Sequence, residues 1–468
     1  MLHRYLGDKD FQKGMSLYLN RHKYGNTQTE DLWAALEEAS QKPVGNVMKT
    51  WTKQKGFPVI NVAQTQDGNN RVLKLSQEKF CADGKIPAEE ANTTWMVPIS
   101  VSTSAKPGEV VAETLFDSKT TELVVPNVGP NDWVKLNVGA VGVFRVQYTE
   151  EALAQLLPSI ENKTLPPLDR LNLQNDLFAL VAAGRVSTTE ILKLLNAFVN
   201  EDEYVVWSSI SQTLGKLNVL FAYTDFQEAF HVFGRKLLAK INAKLGWEPV
   251  RGESHTDALL RALVISRLVS FEDPQVLDEA RKRFDAHVAG TAVIPADLRG
   301  PVYRAVASRC DDKTYDQLLK IYRESELQEE KNRVSNSLGG AKDEHRLEQV
   351  LEFALGKEVR SQDSVSVVVS ASVSKVGRDL AWGFFQKNKD EFAKRYDGGF
   401  LIARLVKSIT EDFASEERAQ EVTSFFATNN FPGTERVVNQ SVETIRNNAS
   451  WLGRDANDCR AFIAKAIA

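Results

Sequence analysis

Residues 51–62 read WTKQKGFPVINV, and this stretch divides the chain. Up to about Lys55 the apolar residues recur with helical spacing; Gly56-Phe57-Pro58 breaks that pattern, and PVINV opens a run of β-type segments. Downstream come RVLKLSQ, WMVPISVS, EVVAETLF, TELVVP, WVKLNV and VFRVQY, separated by Gly, Pro, Asn and Asp. Valine, isoleucine and aromatic side chains suit a pleated, half-buried surface. Several short strands with no helix between them predict a small antiparallel β-sandwich over residues 57–148. Gln66-Asp67-Gly68-Asn69 is its clearest hairpin signal, because glycine takes the positive φ that a tight turn needs.

After Tyr148 the pattern becomes helical and stays so. Segments such as Asp169 to Ala183, Thr188 to Asn200, Asp257 to Leu268, Pro274 to Val288, His345 to Ala354 and Ala381 to Tyr396 alternate with short polar breaks. Paired helices over residues 149–468 predict a large α-helical solenoid-like domain of HEAT or armadillo type, although no clean repeat period is present. SVSVVVSASV at 364–373 is strand-like by propensity and is expected to be helical from its context. Upstream of Trp51, Phe11, Met15, Tyr18 and Leu19 share one helical face, and Leu32, Leu36 and Ala39 another; Thr29, followed by Glu30 and Asp31, is the expected N-cap of the second. The fold class that results is multidomain and mainly α, a small sandwich followed by a large helical domain.

At 468 residues, two or more domains are expected from a prior of roughly 150 residues per domain. A net charge of −4 with no dense basic stretch argues against a nucleic-acid partner. Cys81, Cys310 and Cys459 are scattered and odd in number, which fits a reducing compartment, cytosol or nucleus, better than a disulfide framework, and a cytoplasmic setting is expected. No apolar run approaches the ~20 residues that cross a bilayer, so no membrane partner is expected.

Local motifs give little chemistry. His3, His22, His231, His255, His287 and His345 are never three or four residues apart, and neither H-E-x-x-H nor C-x-x-C occurs. There is no G-x-S-x-G nucleophile motif. Gly339-Gly340 and Asp397-Gly398-Gly399-Phe400 lack the spacing of a phosphate loop and read as helix caps or turns. Asp169-Arg170 with Asp176, and Glu329, Glu330 and Lys331 with Arg333, read as surface or inter-helix pairs. An arginine lining a concave helical surface has the fork geometry to hold a peptide carboxylate. Trp207, Trp247, Trp382 and Trp451 sit in apolar patterns and are expected in the core.

A resemblance sharpens this. MLHRYLGDKDFQKGMSLYL, TEDLWAALEEAS and VMKTWTKQKGFPVINV, then WMVPIS, WVKLNVGAVGVFRVQY, LPPLDRLNLQNDLFALVAAG, EYVVWSSI, QEEKNRVSNSLG and DGGFLIARL, make the chain similar along its whole length to the gluzincin zinc aminopeptidases of the puromycin-sensitive type. The resemblance implies three parts: residues 1–56 as the last helices of a thermolysin-like catalytic domain, 57–148 as the sandwich, and 149–468 as a helical cap over the substrate chamber. It also implies that the zinc helix, the downstream glutamate ligand, the G-A-M-E-N loop and the catalytic tyrosine of the family lie upstream of this region. No catalytic or metal residue is therefore carried over; zinc is implied for the full-length family and no cofactor for this chain. Implied partners are peptides and the missing N-terminal and catalytic domains.

From the cap, the best matches to the basic side chains that face the family's chamber are Arg404 in FLIARL and Arg436 in GTERVVNQSVETI. Trp51 and Phe57 would dock the opening helices on the sandwich. The opening helices, cut from their usual partners, are expected to expose Phe11, Met15 and Leu19. A partial gene model, an alternative start or a truncated paralogue would each give such a chain. The function implied is the C-terminal portion of a zinc metallo-aminopeptidase, inactive alone; the alternative is a non-catalytic peptide- or protein-binding scaffold.

Overall fold

The computed structural model describes residues 1–396 and 399–468, so Asp397 and Gly398 of the Asp397-Gly398-Gly399-Phe400 turn lie outside the described residues. The chain opens with helices α1 (Leu2–Leu6), α2 (Asp8–Arg21), α3 (Thr29–Ser40) and α4 (Val44–Thr52). Helix α3 is capped one residue earlier than its sequence suggests: the Gln28 and Asp31 side chains each bond the other's backbone N–H. Thr29 is thus the first helical residue and not the cap. Gly14 lets α2 and α3 touch, since a Cβ there would lie 2.9 Å from the Leu36 Cα. Leu6, Leu36 and Val44 form a small core with Phe11 packed beside them. Of the expected exposed face only Leu19 is open, at 59%; Phe11 and Met15 are half-buried.

The sandwich follows as β1 (Pro58–Asp67), β2 (Asn70–Lys79), β3 (Val97–Thr103), β4 (Ala112–Phe116), β5 (Thr120–Pro126), β6 (Val134–Leu136) and β7 (Arg145–Tyr148). One sheet has the order β5-β2-β1-β7, the other β4-β3-β6. All pairings are antiparallel except β1 with β7, which run parallel. That exception was invisible in the strand patterns, because a parallel neighbour is set by where the chain returns and not by local alternation. In the β1-β2 hairpin, Asp67 faces Asn70 and Gly68 takes the corner at φ +56°. Both sheets turn apolar faces inward on one core, including Ile60, Leu73 and Val146 from the first sheet and Val97, Ile99 and Leu136 from the second. Buried polar side chains close the ends of that core. Arg71 donates to the side chains of Gln64 and Gln66 and to the carbonyls of Gly129 and Asp132, while Gln77 bonds the Trp95 backbone in both directions.

Helices α5 (Glu150–Glu161), α6 (Pro167–Ala182) and α7 (Thr188–Ala197) complete a first unit, Met1–Glu201. The second unit, Asp202–Ala468, is entirely helical among the described residues. It contains α8 (Tyr204–Phe221), α9 (Gln227–Leu245), α10 (His255–Ser270), α11 (Pro274–Val288), α12 (Ala296–Ser308), α13 (Asp312–Glu324) and α14 (Gln328–Leu338). It continues with α15 (Glu344–Leu355), α16 (Ser361–Ala371), α17 (Lys375–Lys387), α18 (Lys389–Arg395), α19 (Phe400–Thr410), α20 (Glu416–Thr428) and the long α21 (Glu435–Ile467). The polar breaks between helices do local work: Ser254, Asp273, Asp311, Asp343, Ser374 and Ser415 each accept a backbone N–H at the start of a helix, a cap worth about 1 kcal/mol.

The helices of this unit form two layers. In one, α8, α10, α12, α14, α16, α19 and α21 pack each on the next, and α21 returns to α8. In the other, α9, α11 and α13 make their principal contacts with that first layer and not with one another. The solenoid-like expectation is met, with a ring closed by the terminal helix. The valine-rich 364–373 segment is helical through Ala371, because Val365, Val367 and Val368 are buried against neighbouring helices and packing outweighs β propensity. Gly339 caps α14, where a Cβ would sit 2.3 Å from the Ser370 carbonyl carbon, so only glycine allows this approach to α16.

Candidate functional site

The segment that divides the sequence also docks the opening helices. Trp51 Nε1 donates to the Met96 carbonyl at 2.9 Å, Gln54 Nε2 to that of Thr94 at 3.0 Å, and the Met96 N–H to Thr50 Oγ1 at 3.1 Å. The Trp51 ring lies against Trp95, and Phe57 stacks on Phe80 under the Arg145 guanidinium. Trp51 has the docking role expected of it, whereas the ring contacts of Phe57, with Phe80 and Arg145, lie within the sandwich.

A second joint ties the sandwich to α6. Lys135, fully buried, meets fully buried Asp169 at 2.9 Å and also donates to the carbonyls of Leu136 and Asn137 and to Asn172 Oδ1. Asp169 Oδ1 also accepts the Gly139 N–H at 2.8 Å. Beside it, Asp176 accepts from Arg145 at 3.2 Å, from the Val146 N–H at 3.1 Å and from Asn172 at 3.2 Å. Burial pushes the Asp176 carboxyl up to about 6 against the pull of Arg145, and pushes the Lys135 ammonium down despite Asp169. Arg170 grips Glu201 through two bonds, at 2.7 and 2.8 Å, and also holds the Leu165 carbonyl. Of the two readings, surface or inter-helix pairing, the surface one fails for Asp169, Arg170 and Asp176: all three are buried, and Lys135, Glu201 and Arg145, their partners, lie about thirty residues away in the chain. Glu330 is buried as well, held by Tyr303, Arg299 and Arg333, whereas Glu329 is an exposed partner of Arg333.

In the second unit, Trp207, Trp382 and Trp451 are core residues as expected, while Trp247 is half-exposed beneath the Arg283 guanidinium. Arg404 lies on the open face of α19, one turn after the almost fully exposed Phe400. Arg436 is exposed in the first turn of α21. Helices α19 and α21 are neighbours in the ring layer. No local motif points to two other ring-layer arginines, Arg267 on α10 and Arg304 on α12, whose guanidiniums are crowded by protein and meet hydroxyls and carbonyls only. Burial alone lowers each to about 10, so both remain cations at neutral pH.

The zinc implied by the resemblance finds no ligand set here: among the described residues no three His, Cys, Asp or Glu side chains converge. His3 pairs with Asp8, buried His231 with Asn218 and Glu228, and His345 with Gln349. Among the described residues no helix is long and apolar enough to cross a membrane.

Comparison with known proteins gives this geometry its context. Residues 133–447 match the family model described as the ERAP1-like C-terminal domain, and residues 1–51 match the Peptidase family M1 domain. The chain belongs to the ERAP1-like C-terminal domain family. It is 36% identical to "Aminopeptidase M1" of Arabidopsis thaliana over 97% of its own length and 52% of that protein. It is 35% identical to "Puromycin-sensitive aminopeptidase" of Caenorhabditis elegans, over 97% of itself and 49% of the relative. With "Aminopeptidase 2, mitochondrial" of Saccharomyces cerevisiae it shares 32% identity over 99% of itself and 48% of that chain. This ERAP1-like chain therefore spans about half the length of the curated relatives it matches. The family match starts at Trp133, so it takes in β6, β7 and the buried Lys135–Asp169 joint together with the helices.

Proposed function

We propose that this chain is the C-terminal portion of a zinc metallo-aminopeptidase that removes N-terminal residues from peptides in the cytoplasm. The observation that carries the reading is the unbroken match to aminopeptidases over 97% of the chain, covering about half of each relative. Its domain plan would be 1–56 as the end of the catalytic domain, 57–148 as the sandwich and 149–468 as the cap. The cap's work would be to enclose the peptide: a series of helices closed on itself by α21 offers a continuous wall, and exposed cations on α19 and α21, Arg404 and Arg436, would face the substrate and attract its carboxylates. Zinc, which polarises the scissile carbonyl and activates water in such enzymes, would be held by residues outside this chain, as would the acid–base and N-terminus-binding groups.

The reading frame upstream of Met1 tests this. An in-frame H-E-x-x-H helix supports the proposal, and a verified stop codon immediately before Met1 contradicts it.

A further inference from the structure

In the second unit most arginines meet a carboxylate. Arg261 pairs with Glu253, Arg323 with Glu358 and Arg446 with Glu416. Arg267 and Arg304 do not, and both lie in the ring layer near the C-terminal ends of adjacent helices. Arg267 donates from Nε and Nη2 to Ser211 Oγ at 3.1 and 3.0 Å, and from Nη1 to Ser270 Oγ at 3.5 Å. Arg304 uses Nη1 alone, on the carbonyls of Asn336 at 3.1 Å and Ser370 at 3.5 Å, so its Nε and Nη2 have no partner among the described residues.

Each of these side chains lies over a glycine, Gly215 of α8 for Arg267 and Gly340 in the turn after α14 for Arg304. A Cβ at Gly215 would be 3.1 Å from Arg267 Nη2, and a Cβ at Gly340 would be 2.7 Å from Arg304 Cδ and 2.9 Å from its Nε. Side chains are thus missing on α8 and in the turn after α14 where these cations rest. A purely structural role accounts for part of this: Arg304 ties together the last turns of α14 and α16, whose orphan carbonyls carry partial negative charge. A fraction of a charge at two helix ends does not balance a full guanidinium crowded by protein. Nor does it use the two remaining nitrogens of Arg304.

We propose that Arg267 and Arg304 form a cationic belt in the ring layer that binds the side-chain carboxylates of an extended peptide, making this unit selective for peptides rich in Asp and Glu. The inference rests on the reading that the unit encloses a peptide, and it names the class of peptide. Planar guanidiniums with free donors suit carboxylates, and crowding by protein strengthens such bonds relative to water. The layout favours side chains over a peptide terminus: Arg267 leans toward α8 and Arg304 toward α14, so the two cations are spread along the layer. A single terminal carboxylate would occupy one of them; acidic side chains recurring along a chain occupy both.

The test is fluorescence anisotropy of the whole chain with short labelled peptides, acetylated and amidated so that neither end is charged, carrying either Glu or Gln at internal positions. The Glu peptide is expected to bind about tenfold more tightly, one charge-assisted contact's worth, and the difference to shrink at about 0.5 M salt. Arg267→Gln should remove most of the preference. Arg304→Lys, which keeps a donor for the helix ends but loses the fork, should weaken it without lowering the melting temperature. Equal binding of the Glu and Gln peptides overturns the belt while leaving peptide enclosure intact. A preference unchanged in both variants, or one that appears only when the C-terminus is unblocked, also overturns the belt. Binding of no peptide at all overturns both readings.

Discussion

At the joint of the first unit Lys135 and Asp169 are both fully buried and 2.9 Å apart; Lys135 also holds the carbonyls of Leu136 and Asn137, and Asp169 Oδ1 the Gly139 N–H, while Asp169 Oδ2 has no hydrogen-bond partner among the described residues. In the ring layer of the second unit Arg267 and Arg304 are crowded by protein and meet no carboxylate among the described residues. The first arrangement contains its own counter-ions: each charge is paired with the other, and the pair fixes α6 on the sandwich. The second leaves both cations without a carboxylate. Paired buried charge holds a fold in one geometry, whereas crowded charge without a counter-ion is poised for something brought to it.

Removing one member of the joint pair should give the largest effect. Lys135→Met leaves Asp169 buried and alone, and urea denaturation should show a loss of about 3–5 kcal/mol. Replacing Lys135 and Asp169 together by Met and Leu should cost far less, and an equal cost for the double variant would break the comparison. In the second unit the corresponding sensitivity lies in packing. Gly339→Ala drives a methyl into the Ser370 backbone and should cost about 1–3 kcal/mol by the same measurement. Asp176 gives a smaller, pH-dependent effect. Its folded carboxyl titrates near 6, above its ordinary value, so the folded unit takes up a proton as pH falls through 6 that the unfolded chain takes up only near 4. This group's contribution to stability should therefore rise across that window on acidification, and Asp176→Asn should flatten that part of the pH profile. Arg404→Ala and Arg436→Ala, both exposed, should change stability by no more than about 0.5 kcal/mol while weakening peptide binding.

Much of this architecture was legible in the residues. Alternation and turn glycines marked the strands, and the polar breaks that ended helical patterns proved to be caps such as Ser254 and Asp273. Two kinds of feature were not legible. The parallel β1-β7 pairing is decided by neighbours distant in sequence, and the valine run around Val367, helical as its context led one to expect, goes against its own β propensity for the same reason. The charged residues misled for the same reason. Asp169 and Arg170 look like a surface dipeptide until Lys135 and Glu201 are brought to them. Arg267 and Arg304 carry no local signal, because what sets them apart is a glycine elsewhere in the chain, Gly215 or Gly340, and the lack of a carboxylate partner.

The central claim is that this chain encloses peptides for an aminopeptidase whose reacting groups lie outside it. The most direct test incubates the purified chain, with zinc supplied, on aminoacyl fluorogenic substrates and on peptides followed by mass spectrometry. The account predicts peptide binding with no release of fluorophore and no shortened peptides. Zinc-dependent removal of single N-terminal residues by this chain alone would contradict it.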